Sequence, residues 1–264
     1  MPEIPKTSEK RVNYDEVAPT YDQRYAVGEP KGIAAALIGL IRSMRAERVL
    51  EVGCGTGHWL AVVQLFVPRL YGLDLSLGML QKAQQQQKAF SVIRGRANQL
   101  PFATGTFDIV FCVNALHHFD DPRGFVHDTR RLLRQGGALT VIGMNPHSSR
   151  DHWSLYDYFP GTYERDLHRY PSPGTITDWL TAAGFDKVGW QVAERIVETQ
   201  IGRQILDHPI LQRNGTSQLA LLTDEEYATG RARIEAAIGK AETTGEALVF
   251  SADLSLAMVL GYVR

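Results

Sequence analysis

The sequence is short of cysteine, of net charge and of long apolar runs. Two cysteines occur, Cys54 and Cys112, too few for a disulfide-stapled scaffold. Both are expected to be reduced, small apolar residues; a catalytic thiol at Cys54 is the lesser reading. Lys and Arg number 28 against 29 Asp and Glu, a formal net charge of −1. Such a balance creates no long-range field for nucleic acid. No apolar run approaches the roughly 20 residues needed to cross a bilayer. Met1-Pro-Glu-Ile-Pro-Lys6 lacks the apolar core of a secretory signal. The expectation is therefore a cytoplasmic protein with no membrane or nucleic-acid partner. No metal-ligand spacing is present, so no metal is expected. A hydrophobic content of 44% over 264 residues suits one large domain, or a domain with a lid.

Against these absences stands one dense signal. Residues 49–57 read Val-Leu-Glu-Val-Gly-Cys-Gly-Thr-Gly. An apolar run with an acid near its end breaks into alternating glycines, the pattern of a buried strand turning sharply into a helix. Gly53, Gly55 and Gly57 open backbone angles closed to other residues and let a ligand approach without a Cβ in the way. A tight turn alone would need the same glycines. A second apolar run, Leu70 to Leu73, ends in Asp74, where a βαβ nucleotide fold holds ribose hydroxyls. A dinucleotide fold would show G-x-G-x-x-G with a pyrophosphate at the helix N-terminus. This loop is G-x-G-x-G and follows Glu51. A carboxylate there repels a pyrophosphate and suits a cation. S-adenosylmethionine (SAM) carries an ammonium and a sulfonium and no phosphate.

The rest of the first half alternates. Strands are expected at 48–52, 69–74, 90–95, 107–113 and 137–144, with helices at 57–66, 76–88 and 122–135 between them. Short apolar runs separated by helical stretches predict a parallel sheet with helices on both faces. Gly136-Gly137 is expected to close the last helix as a C-cap turn. An apolar helix over 30–44 leads in, and residues 1–12 are expected to be loosely held.

These segments together resemble the class I SAM-dependent methyltransferases, in the type 11 subgroup that is similar to the quinone-biosynthesis C-methyltransferases. Besides the glycine loop, the resemblance rests on Gly72-Leu-Asp-Leu-Ser76, on Gly95 to Phe102 with Thr106-Phe-Asp-Ile-Val110, and on Asn114-Ala-Leu-His-His-Phe119 with Leu132 to Gly137. It covers residues 14–143 well and 170–197 loosely. The implied fold is an α/β, doubly wound, seven-stranded, mostly parallel Rossmann-like sheet. The implied cofactor is SAM, leaving as S-adenosylhomocysteine (SAH). The resemblance places Gly53, Cys54, Gly55 and Gly57 at the methionine moiety, Glu51 near the ammonium, Asp74 on the ribose, and Leu75 and Met79 on the adenine face. An aspartate often reads the adenine edge where Arg96 stands here. A guanidinium cannot accept from adenine N6, so Ala97 and Asn98 are expected to do the reading while Arg96 points to solvent. Asn114 falls near the methionine moiety. Tyr21, with Tyr14 and Tyr25, belongs to a segment that caps the cofactor in the resembled subgroup or anchors a surface helix. His117 is the candidate substrate ligand and proton acceptor, His118 the second choice.

After Asn145 the rhythm changes. Residues 147–173 are rich in aromatics and punctuated by proline. Such a stretch in a compact domain is a lid or binding loop, so Trp153, Tyr156 and Tyr163, with Tyr14 and His117, are expected to line an acceptor pocket. A helix at 175–183 and a sixth strand at 187–197 follow. The best candidate for the seventh strand is 254–263, which makes 198–250 an insertion. It carries a capping box, Thr223 with Glu226, opening a helix to about Ala241. The expected organisation is an arm and cap at 1–30, a SAM-binding core at 31–197, an insertion or lid at 198–250 and a last strand at 251–264. Leu219, Leu221, Ile234 and Ile238 face either the core or a second copy, so the chain is expected to be a monomer or homodimer. The function expected is methyl transfer from SAM to a small organic acceptor. The rivals are a SAM-binding protein that does not methylate, an RNA methyltransferase and a nicotinamide dehydrogenase.

Overall fold

Continuous apolar runs dictate the middle of the sheet. A computed structural model describes residues 11–25, 30–85 and 89–264. The expectations for residues 1–10 and for the end of the helix at 86–88 lie outside the described residues. The chain opens with α1 (Tyr14–Val17), a 3-10 stretch at Ala18–Tyr25, and α2 (Lys31–Met44). There follow β1 (Arg48–Val52), α3 (His58–Val63), β2 (Arg69–Asp74), α4 (Leu77–Gln85), β3 (Ser91–Arg94) and β4 (Phe107–Val113). Then come α5 (Pro122–Leu132) and β5 (Leu133–Met144). Strands β1 to β5 pair in parallel in the order β3-β2-β1-β4-β5.

Successive strand residues point to opposite faces, and each face has its own core. Val49, Ile109 and Phe111 meet Leu37, Ile41 and Leu60 of α2 and α3. Leu50, Val110 and Leu139 meet Phe125 and Leu132 of α5 on the other side. Each such side chain, fully buried, contributes about 1.5–3 kcal/mol before ordering costs. Helix α5 ends at Leu132, short of Gly136-Gly137. The two glycines instead lie where the β4–β5 register jumps, and Gly136 takes φ 76° there. The expected C-cap is thus a strand irregularity.

The second half departs further from expectation. The aromatic segment holds a two-residue strand, β6 (His152–Trp153), with α6 (Ser154–Tyr158) and α7 (Thr162–Arg169). The sheet therefore has eight strands among the described residues rather than seven. After α8 (Pro173–Ala182), β7 runs over Phe185–Ile201 and returns as β8 (Val249–Val263). Both strands are longer than read, because the hairpin stays paired out to Ile201 opposite Val249. The insertion narrows to 202–248. Strand β8 lies between β5 and β7, antiparallel to both.

The insertion holds α9 (Gln204–Asp207), α10 (Ser217–Ala220) and α11 (Asp224–Thr244). Thr223 and Glu226 form the expected capping box, and Gly245 at φ 72° ends the helix. Leu219, Ile234 and Ile238 are buried with Trp153, Phe159 and Phe250 in a third core. With Leu221, also buried, they face inward rather than towards a second copy. Gly230 allows α11 to lie directly on Phe159, whose ring a Cβ there would strike.

Candidate active site

The glycine loop has the conformation that its sequence requires. Gly53, Gly55 and Gly57 have φ of 76°, 52° and 78°. Gly53 and Cys54 donate to the Leu73 carbonyl at 2.7 and 3.1 Å, which ties the loop to the end of β2. Asp74 completes the tie. Its Oδ2 accepts from Gly55 N at 2.8 Å and its Oδ1 from Ser76 N at 2.9 Å. Burial raises its pKa, and the Ser76, Gly55 and Leu75 amides oppose that rise. Two further lone-pair directions remain on the carboxylate.

Glu51 lies at the same end of the sheet. It is 1% exposed, and its Oε2 has no hydrogen-bond partner. Burial, then the charge of Asp74, drives its pKa well above the usual carboxylate range. No basic side chain pairs with either acid among the described residues. Cys54 and Cys112 are buried nearby, and burial pushes both thiols up, away from thiolate chemistry.

At the end of β4, Asn114 takes φ 50°, a left-handed turn that asparagine tolerates better than most residues. It throws the chain into a 3-10 turn, Leu116–His118. The His117 and His118 rings stand 3.9 Å apart. His117 stacks on Tyr170 at 3.8 Å, and its Nε2 has no partner. His118 Nε2 shares a 2.6 Å hydrogen bond with the Tyr14 hydroxyl. Burial holds both imidazoles neutral: His117 falls well below its ordinary pKa and His118 goes down to about 3.

The N-terminal cap is bolted to the loop. Asp15 Oδ1 accepts from Ser76 Oγ at 2.6 Å and from Gly78 N at 2.8 Å, and Asp22 accepts from Thr56 Oγ1 at 2.6 Å. Tyr21 lies beside Gly55, and Arg24 stacks on its ring at 3.7 Å. Tyr25 stacks on His58 at 3.6 Å. Across the opening, the 3-10 turn Pro209–Leu211 of the insertion touches the cap. Between them is a cavity of about 440 Å³. Its floor is Glu51, the loop Gly53–Thr56 and Asn114; its walls include Tyr14, Tyr21, His117, Trp153 and Tyr170; its roof is His208–Ile210 and Gly215–Gln218.

Other predicted residues lie elsewhere. Gly57 faces Phe90 and Ala83 at the start of α3. Leu75 is half exposed, and Met79 is buried under Val17 and Ala18 of the cap. Ala97 packs on the α5 side of the sheet, and Asn98 borders a separate surface hollow with Asp128. Arg96 points to solvent, with its side chain 57% exposed, and pairs there with Asp120 at 2.8 Å. Tyr163 is 40% exposed and donates to the Pro146 carbonyl. Tyr156 donates to Asp166 at 2.8 Å, behind the wall.

Asp166 was not legible. It is 1% exposed and accepts from Tyr156, from Arg169 Nη2 at 2.6 Å and from Gln218 Nε2 at 2.6 Å. It thus joins α7 to the α10 roof. The i,i+3 spacing of Asp166 and Arg169 was the one trace in the sequence, and such pairs are common on exposed helices.

The histidine pair predicts an acid-labile fold. Below about pH 6.5 an unfolded histidine binds a proton that the buried one refuses. Stability is therefore lost as pH falls from 6.5, by about 1.4 kcal/mol per pH unit for each histidine. Glu51 acts in the opposite sense, since it holds a proton in the folded state that the unfolded chain releases. The clean measurement is a difference: urea unfolding from pH 6.5 to 5.5 should show a shallower acid loss for His118→Gln than for wild type. Equal slopes would mean that His118 is protonated in the folded protein.

Comparison with known proteins bears on the floor of this cavity. A family model described as a methyltransferase domain matches residues 50–141. A malonyl-[acyl-carrier protein] O-methyltransferase of Herminiimonas arsenicoxydans is 31% identical over 203 residues, covering 75% of this chain and 73% of that one. A demethylmenaquinone methyltransferase of Thermotoga maritima is 25% identical, covering 66% and 86%. An uncharacterized methyltransferase of Bacillus subtilis, YcgJ, is 27% identical, covering 63% of this chain and 66% of its own length. The YcgJ crystal structure matches the fold with a TM-score of 0.54 over 86% of this chain and 97% of that one, at 20% identity.

Proposed function

The chain belongs to the class I SAM-dependent methyltransferases, and from that premise we propose that it transfers the methyl group of SAM to a small organic acceptor held under the insertion. The observation that carries the donor is the orphaned Oε2 of Glu51 at the cavity floor. A buried, unpartnered carboxylate oxygen beside a glycine loop suits a cationic ligand and disfavours the pyrophosphate of a dinucleotide. The loop Gly53–Gly55 would take the methionine moiety, and the two free lone-pair directions of Asp74 would take the ribose.

When bound, SAM supplies an electrophilic methyl whose carbon–sulfur bonding electrons return to sulfur on transfer. The protein's share is alignment and exclusion of water. The cap and the roof exclude water from two sides. His117 is the residue to receive the hydrogen bond of a protic acceptor, because its Nε2 is unpartnered whereas that of His118 is engaged with Tyr14. Burial makes it a weak base, so it positions the acceptor more than it holds its proton. Tyr170 holds the His117 ring in place. Tyr14, Trp153 and Tyr170 form flat walls for an aromatic or apolar acceptor. The two named relatives point to chemically unlike acceptors, so the acceptor is proposed from this cavity and not from them. No helix among the described residues is long and apolar enough to cross a membrane; we place the enzyme in the cytoplasm. The balanced charge disfavours RNA as the acceptor.

SAM and SAH should raise the melting temperature and NAD should not. Stabilisation by NAD alone would return the loop to dinucleotide binding. Transfer of labelled methyl to a member of a metabolite panel would establish catalysis. Asp74→Ala should weaken SAM binding by roughly 1.5–3 kcal/mol, the value of hydrogen bonds to a charged group. Unchanged calorimetric affinity would remove Asp74 from the ribose site.

A further inference from the structure

We infer that Glu51 is a neutral carboxylic acid in the ligand-free protein and ionises as the cofactor's ammonium arrives, so that the protein selects the amino-acid end of its cofactor by releasing a proton. The inference rests on the SAM reading above and concerns the charge state of the same site.

The geometry leaves Glu51 no other way to carry a charge. Its side chain is 1% exposed at the end of β1. Among the described residues no Lys or Arg forms an ion pair with it, and its Oε2 has no hydrogen-bond partner. Strand β2 presents Asp74, a second buried acid. Strand β4 presents the Cys112 thiol and the loop the Cys54 thiol, both pushed up by burial and so uncharged. Helix α3 offers the Leu60 amide, with His58 stacked under Tyr25. The cap presents Tyr25, pushed up first by burial, with Asp22 beyond it. Arg24 is turned to the Tyr21 ring and carbonyl. An ionised carboxylate buried without a counter-ion is costly, and the group keeps its proton instead. Asp74 differs, because two backbone amides donate to it. Those amides favour its ionised form, and Glu51 has no comparable set.

A ligand ammonium beside Glu51 reverses the balance. The O–H bond of Glu51 breaks, the proton passes to solvent, and the carboxylate remains paired with the ammonium. SAM and SAH both carry that ammonium. Methylthioadenosine carries the nucleoside and the thioether without it.

Calorimetric titration in buffers of different ionisation enthalpy reads the proton directly. SAH binding to the full chain should release a proton at pH values below the raised pKa of Glu51, up to about one per molecule, and over that range its affinity should rise with pH by up to about tenfold per unit. Methylthioadenosine should bind without releasing a proton. Glu51→Gln should bind SAH with no release, and its affinity should converge on that of wild type as pH falls. SAH binding without proton release overturns the inference and leaves the cofactor reading standing. Equal release with methylthioadenosine overturns it too, since the ammonium would not be the trigger. Failure of SAH to bind at all overturns the cofactor reading itself. The wild-type comparison of the two ligands decides the matter even if the variant does not fold.

Discussion

Gly55→Val is expected to lower SAM affinity by more than about a hundredfold while the sheet remains folded. An affinity loss of that size is about 2.8 kcal/mol. The energetic terms separate cleanly at this position. The native φ of 52° is strained for a β-branched residue, at a cost of about 1–3 kcal/mol. That corresponds to a fall in melting temperature of about 2–12 °C for a chain of this size. Packing adds little, because the nearest atom to a Cβ at this position belongs to the Tyr21 ring, at 3.9 Å. The added methyls would occupy the floor of the cavity, where the ligand must touch bare backbone. Gly53 provides the contrast. A Cβ there would collide with that of Ala115 and press on the Phe119 ring. Gly53→Ala should therefore lose stability by about 2–4 kcal/mol, whatever it does to binding. Normal SAM affinity in folded Gly55→Val would reduce the loop to a turn and remove the central support of the functional reading.

Asp166→Ala should cost about 3–5 kcal/mol of stability, the range for breaking a buried ion pair from one side. The loss has two sources. Arg169 is left 10% exposed with no carboxylate, and the Tyr156 hydroxyl and the Gln218 amide lose their acceptor. Because Gln218 belongs to α10, the damage should reach the roof. Hydrogen exchange should accelerate across 202–248 and in α7, while the amides of β1, β2 and β4 change little. Exchange that rises uniformly would show that the roof and the parallel sheet unfold as one unit.

What the sequence disclosed follows from burial. Strands β1, β2 and β4 are covered on both faces, so they read as apolar runs, and the glycine loop needs residues that nothing else can replace. Strand β7 is the opposite case. It is an edge strand with Trp190, Val192, Val197 and Ile201 half exposed or more, so no clean run or alternation marked its length. The capping box of α11 is local and was legible; the contact of Asp166 with Gln218 spans 52 positions and was not. Tyr14 and His118 lie 104 positions apart, each in a segment that marks itself, and the fold alone joins them. The family resemblance puts Met79 on the adenine face. The cap residues Val17 and Ala18 cover it instead, and no periodicity could have announced that contact.

The position of β8 between β5 and β7 bears on how the protein is made. Translation delivers β5 and β7 first, then residues 202–248, and only afterwards the strand that must enter between them. Until Val249–Val263 emerges, the outer edge of β5 and the whole of β7, 17 residues with exposed apolar side chains, lack a strand partner. Unpaired edges of that kind invite pairing with other chains. The intervening helices, packed on Trp153 and Phe159 from the earlier part of the chain, set the wait. A nascent chain stalled before Val249 should be recovered with chaperones or in aggregates, and one in which an appended C-terminal linker carries Val263 clear of the ribosome as soluble protein.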